Sequence, residues 1–494
     1  MTYLPGTHPI LDCAAAAAWE RELFGGDEAK EWAALQQAGR AVAHALLEDL
    51  AVAGASTHGG RLLLLVGKGH NGGDALLAAA ELLGQPGNTW QVEVGFVFGQ
   101  NALRPLAVAA WRRLQEIGGS ERVRAVTRDG LAGAYAAVLD GVFGFQFRPP
   151  LREPALAWLA ASAALTTRVR AAVDLPSGLD EDGAFRADVT YATGILKTPL
   201  LNCANAGRLR YLDLGFFTDA SPGEQRVLTT AVLNPLRQLR PAHSDKRTFG
   251  HVVIVGGSRS YPGAVAMSAI AALHSGAGLV TACVPESIAA AMAAQWPEIM
   301  WMGCAETPDG GIAIESGLAI REKLSRAQAL VIGPGLSREP ETHALVAELI
   351  RQATTPMVLD ADALQSNLIA LGTAPRVLTP HAGEYARIEK AIDPSKTHVV
   401  RKAPITTIKH AGVIYHGIDG GPVLARGGSG DILAGLIGGL LAGEPTEPIR
   451  AAAQAVTWQG LAARAVARSQ GEVVVRTTAI IDHLNAVLRT DPAA

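Results

Sequence analysis

Leu62-Leu63-Leu64-Leu65-Val66-Gly67-Lys68-Gly69-His70-Asn71-Gly72-Gly73-Asp74, with the apolar stretch Ala75–Leu83 behind it, is the segment on which the fold turns. A continuous aliphatic run marks a strand buried on both faces, as parallel strands are. The glycine cluster breaks the run, and Ala75–Leu83 has the composition of a helix. A Gly-rich loop between strand and helix lies at the C-terminal edge of a parallel sheet, where ligands bind. The loop is neither a Walker loop nor a clean Gly-x-Gly-x-x-Gly. Locally it is either a phosphate or sugar contact made through backbone amides, or a tight strand–helix connection.

The rhythm continues on both sides. Val92–Phe98, Ala136–Leu139 and Val169–Val173 read as further strands, with helical patterns at Leu106–Ile117 and Ala155–Leu165. This alternation predicts a three-layer α/β sandwich. Ala220–Glu224 contains Ser-Pro-Gly and reads as a linker, and Arg240–Lys246 is polar. A second alternation starts at Val252–Val255. It continues with a helix over Ala264–His274 and strands at Leu279–Val284, Ala329–Ile332, Met357–Leu359 and Val377–Leu378. Thr406–His416 reads as β-structure. The expected fold class is therefore α/β, with two three-layer domains over residues 1–222 and 223–494.

Composition agrees with a two-domain globular enzyme. The chain has 494 residues, 49% hydrophobic and 18% charged, with a net charge of −3. That length exceeds one ordinary core. Basic residues are dispersed, so no nucleic-acid footprint is expected. The four cysteines lie far apart and form no Cys-x-x-Cys, which favours a reducing cytoplasm over a disulfide framework or zinc ribbon. Ala14–Ala18 and Ile432–Leu441 are too short to span a membrane.

Acids punctuate the strand ends. Asp140 precedes Gly141-Val142-Phe143-Gly144, and Asp174 precedes Leu175-Pro176-Ser177-Gly178. If these strands are neighbours, both carboxylates converge on the loop of Asn71. Asp174 could then handle a proton, while Asn71, Asp140 and Ser177 offer hard oxygens to an alkali cation or water. Each Asp could equally be a loop or helix cap. In the second half, Gly256-Gly257-Ser258, Tyr261–Ala264, Gly333–Leu336, Asp360–Leu364 and Thr379–Glu384 all follow strands. Gly427-Gly428-Ser429-Gly430-Asp431 opens a helix, so its amides and the helix dipole can hold an anion beside a carboxylate. The alternative is a turn with Asp431 as an N-cap. His381 and Lys402 have equally ordinary structural readings, at a turn and on a solvated surface.

His70–Asp74, Asp174–Gly178, Tyr261–Ala264, Gly333–Leu336, Asp360–Leu364, Thr379–Glu384 and Gly427–Asp431, in this order on one chain, resemble the bacterial bifunctional NAD(P)H-hydrate repair enzymes. Those enzymes fuse an epimerase domain to an ADP-dependent dehydratase domain. The resemblance implies a Rossmann-like N-terminal domain and a ribokinase-like C-terminal domain. It implies that the first domain interconverts the R and S epimers of hydrated NADH or NADPH, with Asp174 as acid/base. Potassium would be held by Asn71, Asp140 and Ser177, and substrate by His70, Asn71, Gly72, Gly73, Asp74 and Gly144. The second domain would dehydrate the S epimer using ADP with magnesium, releasing AMP and phosphate. Asp431 would deprotonate the substrate hydroxyl, and Ala264, Gly335 and His381 would line the substrate site. Lys402, Gly427, Gly428, Ser429 and Gly430 would meet the nucleotide. The implied partners are the hydrated cofactor and ADP, with no nucleic acid or membrane. A cytoplasmic homo-oligomer is expected. His70 stands where the family has Asn, and Phe145-Gln146-Phe147 where it has a small-residue loop. Competing readings are a ribokinase-like small-molecule kinase and a non-enzymatic nucleotide-binding sensor.

Overall fold

Parallel strands buried on both faces organise each half of the chain. The structure, a computed structural model, describes residues 3–489. Its contacts divide into two compact units, one built from His8–Val227 with Ala467–Glu472, the other chiefly from Leu228–Val466.

After a short β1 (Thr7–Pro9), the N-terminal unit has β2 (Gly59–Val66), β3 (Thr89–Phe96), β4 (Val123–Ala125), β5 (Ala134–Gly141), β6 (Thr166–Val173), β7 (Val189–Thr193) and β8 (Arg208–Leu212). These last seven strands form one sheet in the order β4-β3-β2-β5-β6-β7-β8. Every pairing in it is parallel. The helices are α1 (Cys13–Phe24), α2 (Glu28–Val52), α3 (His70–Gly84), α4 (Pro105–Arg122) and α5 (Ala155–Ala163). Strand side chains alternate between faces. Leu62, Leu64 and Val66 therefore enter a core with α2, α3 and α4, and Leu63 and Leu65 enter one with α5. The direction of strand addition reverses between β2 and β5, so the loops after both strands face the crevice at this switch point.

The C-terminal unit follows β9 (Gln225–Leu228). Its strands are β10 (His251–Val255), β11 (Leu279–Pro285), β12 (Met300–Cys304), β13 (Ala329–Ile332), β14 (Met357–Leu359), β15 (Arg376–Leu378), β16 (Thr397–Arg401), β17 (Thr406–His410) and β18 (Val413–Gly417). Within the unit they run β18-β17-β16-β15-β14-β13-β10-β11-β12. All pairings are parallel except the two that join β16, β17 and β18. Here the reversal falls between β10 and β13. The helices are α6 (Pro262–His274), α7 (Glu286–Gln295), α8 (Gly317–Leu324), α9 (Pro340–Gln352), α10 (Ser366–Ile369), α11 (Ala382–Ile388), α12 (Ser429–Gly443), α13 (Pro448–Gln470) and α14 (Ala479–Arg489). One sheet face packs on α8 and α9 through Ile320, Leu345 and Leu349. The other is covered by α6 and α12. Among the described residues, no helix is long and apolar enough to cross a membrane.

Helix α3 begins at His70, not at Ala75. The glycines expected to form a loop lie inside its first turns, where a Cβ on Gly72 would sit 2.5 Å from Gly67 O and one on Gly73 would sit 3.0 Å from Leu35. Their smallness seats the helix against the strand end. Strands β7 and β8 escaped the sequence reading, because Val189-Thr190-Tyr191-Ala192-Thr193 is short and half polar yet wholly buried.

Contact between α6 and α12 rests on the same device. A Cβ on Gly435 would lie 2.0 Å from Ser268 O, and one on Gly439 2.0 Å from Ser275 Oγ. Gly435→Val is expected to destabilise the C-terminal unit by about 1–3 kcal/mol, the usual cost of overpacking. Urea unfolding followed by the buried Trp458 should show a lower midpoint, and an unchanged midpoint would mean that the helices can move apart freely.

Candidate active sites

In the N-terminal unit, the ends of β2, β5 and β6 bring Asn71, Asp140, Asp174 and Ser177 together. Asp140 and Ser177 are fully buried. Ser177 donates to Asp140 through its N–H (2.8 Å) and its Oγ (2.7 Å), and Val142 N–H adds a third bond at 3.1 Å. Burial still dominates and pushes the Asp140 carboxyl up to about 6. Asn71 Nδ2 donates to Phe143 O and Val173 O, each at 2.9 Å. The Phe143 N–H closes the cluster on Ser177 Oγ at 3.0 Å.

Asp174 is 2% exposed and has φ +66°, a left-handed conformation that a non-glycine residue adopts at a cost. This turn ends β6 and aims the carboxylate into the unit. Its Oδ2 accepts from Phe145 N–H at 3.1 Å, and its Oδ1 accepts from Lys197 Nζ. Lys197 is 1% exposed, so this is a buried ion pair. Asp74 is buried nearby, with Oδ1 lacking a hydrogen-bond partner. Burial, then Asp174 and Glu20, hold its carboxyl well above the usual range. His70 lies at the start of α3, and Gly144 packs against the Asn71 carboxamide. A cleft of about 430 Å³ lies over this rim, lined by His70, Asn71, Gly144, Phe145, Phe147 and the cations Lys68, Arg104, Arg148 and Arg152.

The C-terminal unit gathers its motifs in the same way. Gly257 N–H donates to Pro334 O at 2.8 Å across the β10–β13 switch. Gly335, at φ +66°, brings Ala264 alongside: a Cβ there would lie 2.4 Å from Tyr261 O and 3.1 Å from Ala264 Cβ. Asp360, at the end of β14, is 2% exposed. It accepts from Thr379 Oγ1 at 2.7 Å and from Lys402 Nζ at 2.9 Å. Lys402 is thus a partner of a buried acid rather than a solvated lysine. Burial lowers its pKa, but Asp360, Glu384 and Asp431 outweigh this and raise it overall.

Gly428, at φ +93°, is the N-cap of α12, and Asp431 lies in the first turn. That turn has amides with no intrahelical acceptor, which makes it an anion site. Gly427 is exposed at its edge, and Ser429 Oγ is tied to Leu424 O and Arg426 O. Gly430 makes room for the lysine, since a Cβ there would be 3.0 Å from Lys402 Nζ. Burial, with Asp360 adding repulsion, pushes the Asp431 carboxyl up to about 7. His381 caps α11: its Nδ1 accepts from Gly383 N–H (3.1 Å) and Glu384 N–H (3.4 Å) in a capping box. Its exposed Nε2 lies 3.4 Å from Glu384 Oε1, and the His381 backbone pairs with that of Lys402 in an isolated parallel bridge.

Comparisons with known proteins agree with this geometry. The family model described as NAD(P)H-hydrate dehydratase matches residues 252–486, and that described as YjeF-related protein N-terminus matches residues 33–198. A bifunctional NAD(P)H-hydrate repair enzyme of Moorella thermoacetica is 33% identical, covering 87% of each chain. One from Gloeobacter violaceus is also 33% identical and covers 92% of each. The chain belongs to the bifunctional NAD(P)H-hydrate repair enzyme family. A ribokinase-like superfamily protein of Enterococcus faecalis aligns at 29% identity and a TM-score of 0.47, over 55% of this chain and 97% of its own. The N-terminal strand order is the doubly wound, Rossmann-like one, and the C-terminal domain is likewise α/β around a mainly parallel sheet.

Lys197, Asp360 and Thr379 were not among the site residues expected from sequence. Lys197 did carry a signal, as a lone cation in the apolar run Gly194-Ile195-Leu196-Lys197. Asp360 lay in a recognised motif, but only the fold shows that it holds Lys402. Carboxyl-carbon NMR of the free protein, with Asp431→Asn as the assignment control, is expected to show Asp431 titrating near 7. Lys402→Met removes a cation that lowers this value, so the midpoint should move up. A midpoint near 4 would mean that Asp431 is well solvated.

Proposed function

We propose that this chain repairs hydrated NADH and NADPH, with the N-terminal domain (1–222) as epimerase and the C-terminal domain (223–494) as ADP-dependent dehydratase. The observation that carries the reading is the raised carboxyl of Asp431 in the first turn of α12, beside Lys402 and the Gly427–Gly430 loop. It pairs a base with an anion site.

In the dehydratase, Asp431 takes the proton from the substrate hydroxyl, whose oxygen attacks the β-phosphoryl group of ADP. AMP leaves, and the hydroxyl has become a phosphate ester. Elimination then restores the nicotinamide double bond and releases phosphate, a far better leaving group than hydroxide. The amides of the Gly427–Gly430 loop steady the phosphoryl group, with Ser429 bracing the loop through Leu424 O and Arg426 O, and Lys402 adds a fixed positive charge. Ala264, Gly335 and His381 shape the substrate pocket. Magnesium would be held chiefly through the phosphates of ADP. Bound, it would neutralise phosphate charge.

In the epimerase, Asp174 is the acid/base, and His70, Asn71, Gly144 and Asp74 hold the substrate. Gly72 and Gly73 support it from inside α3. Potassium needs neutral and anionic oxygens. The Asn71 carboxamide, the Asp140 carboxylate, Ser177 Oγ and the Phe143 and Val173 carbonyls form one hydrogen-bonded cluster, so the residues fit it. Bound there, it would supply positive charge that stiffens the loop after β5. The protein is proposed to act in the cytoplasm as a homo-oligomer, without nucleic-acid or membrane partners.

The test supplies ADP, magnesium, potassium and a mixture of R and S hydrated NADH, and follows reduced-nicotinamide absorbance. Recovery beyond the S fraction, faster than spontaneous epimerisation, is expected; no ADP-dependent recovery would overturn the reading. Asp431→Asn should abolish dehydration and spare epimerisation, and Asp174→Asn should do the reverse. Loss of both activities in either variant would sink the two-site scheme. Because Asp431 must be unprotonated to act, kcat/KM for dehydration should rise with pH through about 7. A flat profile from pH 5.5 to 8.5 (range chosen about that value) would remove Asp431 as the base.

A further inference from the structure

Asp174 does not face the large cleft directly. It lines a smaller adjoining cavity of about 60 Å³, in whose wall Glu20, Asp74 and Lys197 also stand. His70, Asn71 and Phe145 line both spaces. A long substrate can therefore keep its charged body in the cleft and pass its reacting ring edge inward at Phe145. The Phe145 ring lies over Lys197 Nζ, 5.4 Å from ring centroid to nitrogen.

The ionisable groups of this cavity come from separate segments. Asp174 and Lys197 are already joined as an ion pair. Glu20 lines the same cavity from α1, an element with none of the glycine motifs, and feels both charges. Among the described residues the Glu20 carboxyl has no hydrogen-bond partner. Burial pushes it up to about 7, while Lys197 pulls it down and Asp174 and Glu31 push it further up. Asp74 and His70 from α3 and Glu31 from α2 are the other ionisable groups lining the cavity.

Hydration of a dihydronicotinamide places a hydroxyl on the ring carbon bonded to nitrogen. That carbon can be inverted without redox chemistry. A proton is delivered to the hydroxyl oxygen, the C–O bond breaks, and water leaves as the nitrogen lone pair forms a C=N bond. Water then adds to the opposite face and gives up a proton. One water leaves, one enters, and the proton is returned. By microscopic reversibility each face needs a group that can both donate and accept. A fixed Asp174 serves only one.

We propose that Glu20 is a second acid–base group of the epimerase, acting on the ring face opposite the one served by Asp174 with its partner Lys197. This rests on the epimerase reading above. It accounts for a half-buried carboxyl on the cavity wall, unpartnered among the described residues, that the glycine motifs do not require.

The test uses the full chain and a single epimer of hydrated NADH in ¹⁸O-water. Glu20→Gln is expected to lower kcat for epimerisation by about 10²–10⁴-fold, the usual worth of general acid–base catalysis, with KM little changed. ¹⁸O uptake at the ring hydroxyl should fall in step. The wild-type pH limb near 7 should disappear, and Glu20→Asp should recover part of the rate. ADP-dependent dehydration of the S epimer by the same protein should be unaffected, which separates a local effect from misfolding. Wild-type epimerisation rate and pH profile in Glu20→Gln would overturn the proposal and leave the epimerase reading standing. Catalysed epimerisation without ¹⁸O uptake would overturn it too, because the C–O bond would then stay intact. A wild-type protein that leaves the spontaneous rate unchanged would overturn both.

Discussion

Backbone has to approach backbone more closely at the strand ends than a β-carbon permits, and both sites depend on this. In the N-terminal unit, Gly72 lets α3 start against Gly67 O. In the C-terminal unit, a Cβ on Gly333 would lie 1.8 Å from Asp360 O, so the β13 and β14 ends close up only with glycine there. Gly335 does the same against Tyr261 O. These contacts draw helix N-termini and strand-end acids to one rim of each sheet. With that rim in place, little else is needed to make an anion site beside a carboxylate.

The two rims handle their acids differently. At the C-terminal rim, Asp360 is ion-paired with Lys402 and accepts from Thr379 Oγ1, while among the described residues Asp431 has no ion-pair partner and is raised by burial. One acid organises the cation, and the other carries the raised proton affinity. At the N-terminal rim, Asp140 accepts three hydrogen bonds from Ser177 and Val142, whereas Asp174 is held by Lys197 and one amide in a left-handed turn. Buried pairs are poor sources of net stability, because desolvation offsets their attraction. Their arrangement here makes sense as positioning of the neighbouring reactive group.

Element type was legible wherever burial imposed a period. Leu62–Val66, Val252–Val255 and Ala329–Ile332 could only be inner strands, and their motifs therefore had to face a common edge. Other elements were obscured by local composition. Val189–Thr193 is half polar but buried, since it is paired along both edges and α2 packs over the sheet there. The glycines at 72 and 73 looked like a loop because propensity disfavours them in helices. Packing against Gly67 and Leu35 outweighs that cost.

The sequence by itself determined the α/β class, the order of the motifs and the family, because these depend on residue types at short spacings along the chain. Tertiary structure alone decided which groups share a site. Lys197 reaches Asp174 and Lys402 reaches Asp360 across 23 and 42 residues, and each lysine is defined by a buried acid that local sequence cannot show. The proton affinities of Asp431 and Glu20 are likewise set by desolvation and by charges from distant segments. Those quantities exist only once the chain has closed around them.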